Sequence, residues 1–174
     1  MLERVYARSE AVVAGVGAGD MHRPTPCSDW DVEQLLGHYV NVVAQFPALI
    51  AGNEPDWQEH PDLSDPSGAL RSAVAANLAA WRQPGAVEQP STLMPGMRTF
   101  DFNLADAVVH TWDLARALGT DPALPADAVV AVHEVWSQAP LVTARQYGAF
   151  GPEVEVPASA PTLDRLLGLF GRTP

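Results

Sequence analysis

The chain has 174 residues, 47% of them hydrophobic, which is enough for one well-filled core and falls within the usual size of a single domain spanning 1–174. A formal charge of -11, with ten arginines scattered from Arg4 to Arg172 and no lysine, repels phosphate backbones and anionic lipid, so neither nucleic acid nor a membrane surface is an expected partner. No apolar run approaches the roughly 20 residues that cross a bilayer, the acid-containing start MLERVYARSEAVV does not suit a secretory signal, and the single Cys27 closes no internal disulfide, so a cytoplasmic protein held by packing is expected.

Helix one is expected from Leu2 to Val16, where Leu2, Val5, Tyr6, Val12, Val13 and Val16 share one helical face before Gly17 and Gly19 interrupt it. Ser28 and Asp31 have capping-box spacing ahead of helix two, about Asp31 to Ala51, whose Leu35, Tyr39, Val42, Phe46 and Leu49 face inward, with a kink expected near Pro47. The stretch GNEPDWQEHPDLSDPSG is a long polar loop. Helix three is expected from about Pro66 to Gln83, with Leu70, Val74, Leu78 and Trp81 as its stripe and Pro84–Gly85 as its stop.

Residues 86–100 carry too many prolines for a central strand. Helix four follows from about Asn103 to Leu118, closed by Gly119. Helix five starts at Pro125 and carries Val129, Val132, Val135 and Trp136, and a short helix from Thr162 to Phe170 ends at Gly171. Amphipathic helices without an alternating strand pattern point to an all-α bundle, whose sites are built from facing helices.

Asp106 and His110 are four residues apart in helix four and project from one face, a spacing that suits two ligands of one ion. The same spacing is common on solvated faces, and Asn103, Asp106, His110 and Asp113 together also read as the wet side of this helix. His38 lies on the inward stripe of helix two, either as a third ligand or as a hydrogen-bonded core histidine. His and carboxylate ligands match zinc, nickel, iron or manganese, and three of them leave a position for water or substrate.

The segments PTPCSDWDVEQLLGHYV (24–40), ADAVVHTWDLARALGTDP (105–122) and DRLLGLFGRTP (164–174) resemble an actinobacterial family of small proteins. That family is related to the metal-binding domain of mycothiol-dependent maleylpyruvate isomerase and, more broadly, to the DinB/YfiT-like thiol-transferase superfamily. The likeness in order and spacing runs along nearly the whole chain, and the motifs around Trp30 and Trp112 are its most specific part.

The resemblance implies a DinB/YfiT-like four-helix bundle with extra short helices, and a divalent metal, zinc or nickel, bound by His38, Asp106 and His110. Two departures bear on activity. The isomerase has Glu where this chain has the shorter Asp106, and it owns a second, C-terminal domain for which this chain is too short, so isomerisation of maleylpyruvate itself does not carry over.

A divalent cation lowers a thiol pKa from about 8.5 and delivers the nucleophilic thiolate. The expected function is therefore a metal-dependent thiol S-transferase or isomerase, joining a mycothiol-type thiol to small electrophiles. The other readings are a non-catalytic ligand-binding or interaction protein on the same bundle, and a hydrolase using metal-bound water. Arg116 is placed either to bind a carboxylate of thiol or substrate or to pair with a surface acid; Asp113 either holds the second ring nitrogen of a ligand histidine or caps a polar face. Trp112 and Trp30 wall the pocket or fill the core, Cys27 is a nucleophile or a small filler, and His22, His60 and His133 lack partners at ligand spacing. A homodimer is expected by analogy with the superfamily.

Overall fold

A computed structural model describes residues 1–146 and 150–174. Its helices are α1 (Leu2–Val13), α2 (Val32–Ile50), α3 (Pro66–Trp81), α4 (Thr99–Leu118), α5 (Ala126–Trp136), α6 (Leu141–Gln146) and α7 (Thr162–Leu169). Among the described residues there is no named strand, and the only ladder-type pairs are the isolated bridges Pro24 with Asp31 and Pro90 with Arg98. The architecture is all-α.

Four helices close a ring: α1 packs on α4 and α3, and α2 packs on α3 and α4. The inward faces are those the apolar periodicity marks, with Val5, Tyr6, Leu35, Leu36, Tyr39, Val43, Phe46, Leu70, Val108 and Leu114 all buried. Each such aliphatic side chain contributes about 1.5–3 kcal/mol when fully removed from water. The shorter helices add a second layer, α5 against α4 and α7 against α5. There Trp136 packs on Phe102, Phe150 and Phe170, with ring centroids 4.9, 5.5 and 5.1 Å away.

Several element ends differ from the periodicity. Helix α1 stops at Val13, not Val16, and the chain leaves it through turns before Gly17. The capping box of α2 lies three residues further along than Ser28: Asp31 Oδ1 accepts from the Gln34 amide at 3.0 Å, and Gln34 Oε1 accepts from the Asp31 amide at 3.0 Å. Asp31 thus caps the helix that Ser28 was expected to cap. Helix α2 continues through Pro47 to Ile50.

Helix α4 begins four residues before Asn103, because Asp101 accepts from the Arg98 amide at 3.1 Å and satisfies the first turn. Helix α6 has no counterpart among the elements expected from the sequence. Buried hydroxyls also tie the ring together. Ser9 of α1 lies 2.8 Å from the Tyr39 hydroxyl of α2 and 2.6 Å from that of Thr111 in α4, and Thr111 donates to the Ala107 carbonyl at 2.6 Å.

Candidate metal centre

The site lies where α2 and α4 pack, with the turn before α2 and the C-terminal tail on its flank. His38 follows Leu35 on the edge of the buried face of α2 and is half-buried. Its ring stands edge-on to that of His110, with centroids 5.1 Å apart, and tilts against the Trp30 ring at 4.4 Å. Burial, then the neighbouring His110 and Arg172, push the His38 pKa down to about 3, so the imidazole is neutral at physiological pH. A neutral imidazole keeps a ring nitrogen lone pair for a ligand or hydrogen bond.

His110 is buried on α4, and its two ring nitrogens face two different carboxylates. Nε2 lies 4.0 Å from Oδ1 of Asp106, one turn earlier. Nδ1 lies 3.2 Å from Oδ2 of Asp113, three residues later. The two acids differ sharply. Asp113 is 0% exposed, and burial alone would disfavour its charge, but hydrogen bonds from His110 and Arg172 outweigh burial and hold it below the usual carboxylate range. Asp106 keeps 33% of its side chain exposed, yet loss of water around the carboxyl pushes its pKa up to about 6 against the pull of His110 and Arg172.

The partner of Asp113 is Arg172, near the end of the chain. Its Nε donates to Asp113 Oδ1 at 3.2 Å and its Nη2 to Oδ2 at 2.8 Å, a two-pronged pairing with only 11% of the arginine side chain exposed. Nη2 also donates to Cys27 Sγ at 3.0 Å, and Sγ lies 3.4 Å from Asp113 Oδ2. Cys27 is fixed by the PTPCSDW turn, in which Thr25 Oγ1 accepts from the Cys27 amide at 3.1 Å and donates to the Trp30 carbonyl at 2.8 Å. Burial first and the Asp113 charge second raise the Cys27 pKa to about 12 despite Arg172, so it stays a thiol.

His38 and Asp106 each lie beside His110, but the three do not bring their ligand atoms within 4.8 Å of one another, and Asp113 touches the far nitrogen of His110. Trp112 is buried on α4 and takes no part in these short contacts, while Arg116 is solvent-exposed on the same helix. His22 reaches Asp31 at 3.2 Å on the surface. Among the described residues, the set whose ligand atoms all lie within 4.8 Å of one another is Cys27, His110 and Asp113. Spacing missed Arg172 because its partner is 59 residues away and no helical periodicity links them.

A helical bundle with a His/carboxylate cluster between its second and fourth helices defines the class. Residues 2–115 match the mycothiol maleylpyruvate isomerase N-terminal domain family, and the chain belongs to that family. Over 185 aligned residues it is 29% identical to uncharacterized protein MT0763 of Mycobacterium tuberculosis strain CDC 1551 / Oshkosh, with 98% of this chain and 95% of the relative covered. The same figures hold for uncharacterized protein Rv0738 of M. tuberculosis strain ATCC 25618 / H37Rv. No solved structure matches the chain. No helix is long and apolar enough to cross a membrane among the described residues.

Proposed function

We propose that the chain holds a divalent metal, zinc or nickel, through His38, Asp106 and His110, and with it activates a mycothiol-type thiol for S-transfer to, or isomerisation of, small electrophiles. The observation that carries the reading is the division of labour at His110. Its Nδ1 is engaged by Asp113, so Nε2, on the Asp106 side, is the nitrogen left for an ion. Two imidazoles and a carboxylate fit zinc and leave a position for a fourth ligand. When bound, the metal would lower the pKa of a thiol at that position and supply thiolate at neutral pH.

The protein's own groups have separate parts in this reading. Trp30 covers one face of His38 and keeps its ring dry and neutral. Asp113 orients His110 and offsets positive charge that gathers there. Arg116, exposed beyond His110, is proposed to meet a carboxylate of thiol or substrate, and Trp112 to wall the cofactor side. Clefts of about 210 and 200 Å³ lie elsewhere on the bundle and include none of the three proposed ligands.

The tighter Cys27, His110 and Asp113 set favours a second placement of the ion, but Arg172 already sits there as the cation, 2.8 Å from Asp113 and 3.0 Å from Cys27 Sγ. An ion in that set would displace a buried ion pair and need a thiol held at a pKa of about 12 to ionise.

Metal analysis of untagged protein separates these placements. The wild type and Cys27→Ala should carry metal, and His38→Ala and His110→Ala should not. Equal, negligible metal in all four would end the proposal, and loss in Cys27→Ala and His110→Ala with metal kept by His38→Ala would move the ion. Turnover of a generic electrophile with mycothiol tests the second half. A pure binding protein shows none, and a hydrolase reacts without added thiol.

A further inference from the structure

We infer that Arg172 in the C-terminal tail is a positioning residue of the candidate metal centre, acting through Asp113 to fix the ring of His110. The family match ends at residue 115, so this arm of the site lies outside it. The inference rests on the proposed role of His110 as a ligand, and its test is chosen to survive the failure of that role.

The tail is aimed by close backbone packing. After α7, the Arg172 amide donates to the Leu167 carbonyl at 2.9 Å and the Gly171 amide to Gly168 at 3.0 Å. Gly171 has φ +80, a conformation that L side chains rarely adopt, and a Cβ there would come within 2.9 Å of the Pro152 carbonyl oxygen. At Gly168 a Cβ would come within 2.6 Å of the Val154 oxygen. Both positions press α7 and the tail against segment 151–156, and this contact sets the direction from which Arg172 enters. Its Nη1 further donates to the Phe170 carbonyl at 2.9 Å, which fixes the base of the guanidinium.

The fork then determines what Asp113 can do. With Nε on Oδ1 and Nη2 on Oδ2, the carboxylate plane is locked, and Oδ2 stays 3.2 Å from His110 Nδ1. On a singly protonated ring, that contact holds the proton on Nδ1 and leaves Nε2 as the acceptor. Without Arg172 the carboxylate is free to turn away from Nδ1, and the imidazole loses its single tautomer.

The test uses full-length, metal-free protein labelled with ¹⁵N at histidine, in wild type, Arg172→Gln and Arg172→Lys. Long-range ¹H–¹⁵N spectra at pH 7.5, well below each unfolding temperature, report the His110 tautomer, and chelator competition reports cobalt(II) affinity. Wild type should show only the Nδ1–H form. Arg172→Gln should show a mixture and bind cobalt about 10–100-fold more weakly, the usual cost of losing an outer-shell partner. Arg172→Lys keeps the charge without the fork and should fall between them.

A folded Arg172→Gln with the wild-type tautomer and wild-type cobalt affinity would overturn the inference. Should that variant not fold, an unchanged tautomer in Arg172→Lys overturns it equally. A shifted tautomer in a protein whose wild type binds no cobalt keeps Arg172 as the positioning residue and removes the metal reading alone.

Discussion

The two carboxylates beside His110 are separated by seven positions on one helix and live in opposite regimes. Asp113 is sealed from water but fully partnered, by an arginine on both oxygens and an imidazole on one, and its charge is favoured. Asp106 is a third exposed and, among the described residues, has no partner at hydrogen-bond distance, and its charge is resisted. Burial by itself does not decide ionisation; the count and aim of the partners do. The partnered half of the site is structure, and the other half, Asp106 with His38, is where the proposed cation would have something to gain.

The largest way to break this contrast is to remove the partnered acid. Asp113→Ala should lower unfolding free energy by about 3–5 kcal/mol, read by denaturant titration, because it strands a buried guanidinium. Asp106→Asn should leave stability at pH 7 unchanged or raised, since it removes a charge the metal-free fold resists. Comparable losses in the two variants would erase the distinction.

Cys27 sharpens the same contrast through reactivity. With its pKa raised to about 12 by burial and Asp113, alkylation by iodoacetamide at pH 8 should be on the order of a thousandfold slower than for an ordinary thiol with pKa about 8.5. Denaturant should restore the ordinary rate. Fast labelling of the native protein would mean that the turn before α2 does not shelter the sulfur.

The pH dependence of metal-free stability follows from two opposed signs. His38 binds its proton in the unfolded chain near pH 6.5 but in the fold only near pH 3, so between those values acid destabilises the protein. Asp106 does the reverse between about 6 and 3.8, where the fold holds a proton the unfolded chain has lost, so acid favours the fold. The two contributions oppose each other over that interval. Asp106→Asn should therefore steepen the loss of stability from pH 6 to 4, and parallel wild-type and variant profiles would contradict these environments.

The smallest expected effect belongs to the stacking neighbour. Trp30→Ala removes an aromatic contact of about 0.5–1.5 kcal/mol and admits water to His38. NMR titration should show the His38 pKa moving upward, toward 6.5, while that of the sheltered Cys27 changes little.

The bundle was legible because Val5, Leu35, Phe46 and Leu70 repeat at helical intervals and fall on inward faces, as local periodicity requires. The same periodicity puts His38 on α2 and His110 on α4, where their rings meet with centroids 5.1 Å apart, but it does not signal the closer convergence of Cys27, His110 and Asp113. What spacing could not supply was any link between segments remote in the chain. Cys27 meets Asp113 across 86 residues and Arg172 across 145, and no periodic signal spans such distances. The early start of α4 was hidden differently: its first turn depends on Asp101 accepting from the Arg98 amide, a contact that the apolar pattern beginning near Leu104 does not register.

Ser9 has a consequence for how the centre comes into being. Its hydroxyl bridges Tyr39 and Thr111, the immediate chain neighbours of His38 and His110, so a first-helix side chain works as a calliper that sets how far apart the two imidazoles stand. The pair has its final separation only once the first, second and fourth helices have docked together. Under the proposed metal reading, affinity for a cation would gauge completed assembly, and a bulkier side chain at position 9 would widen the jaws without touching either histidine.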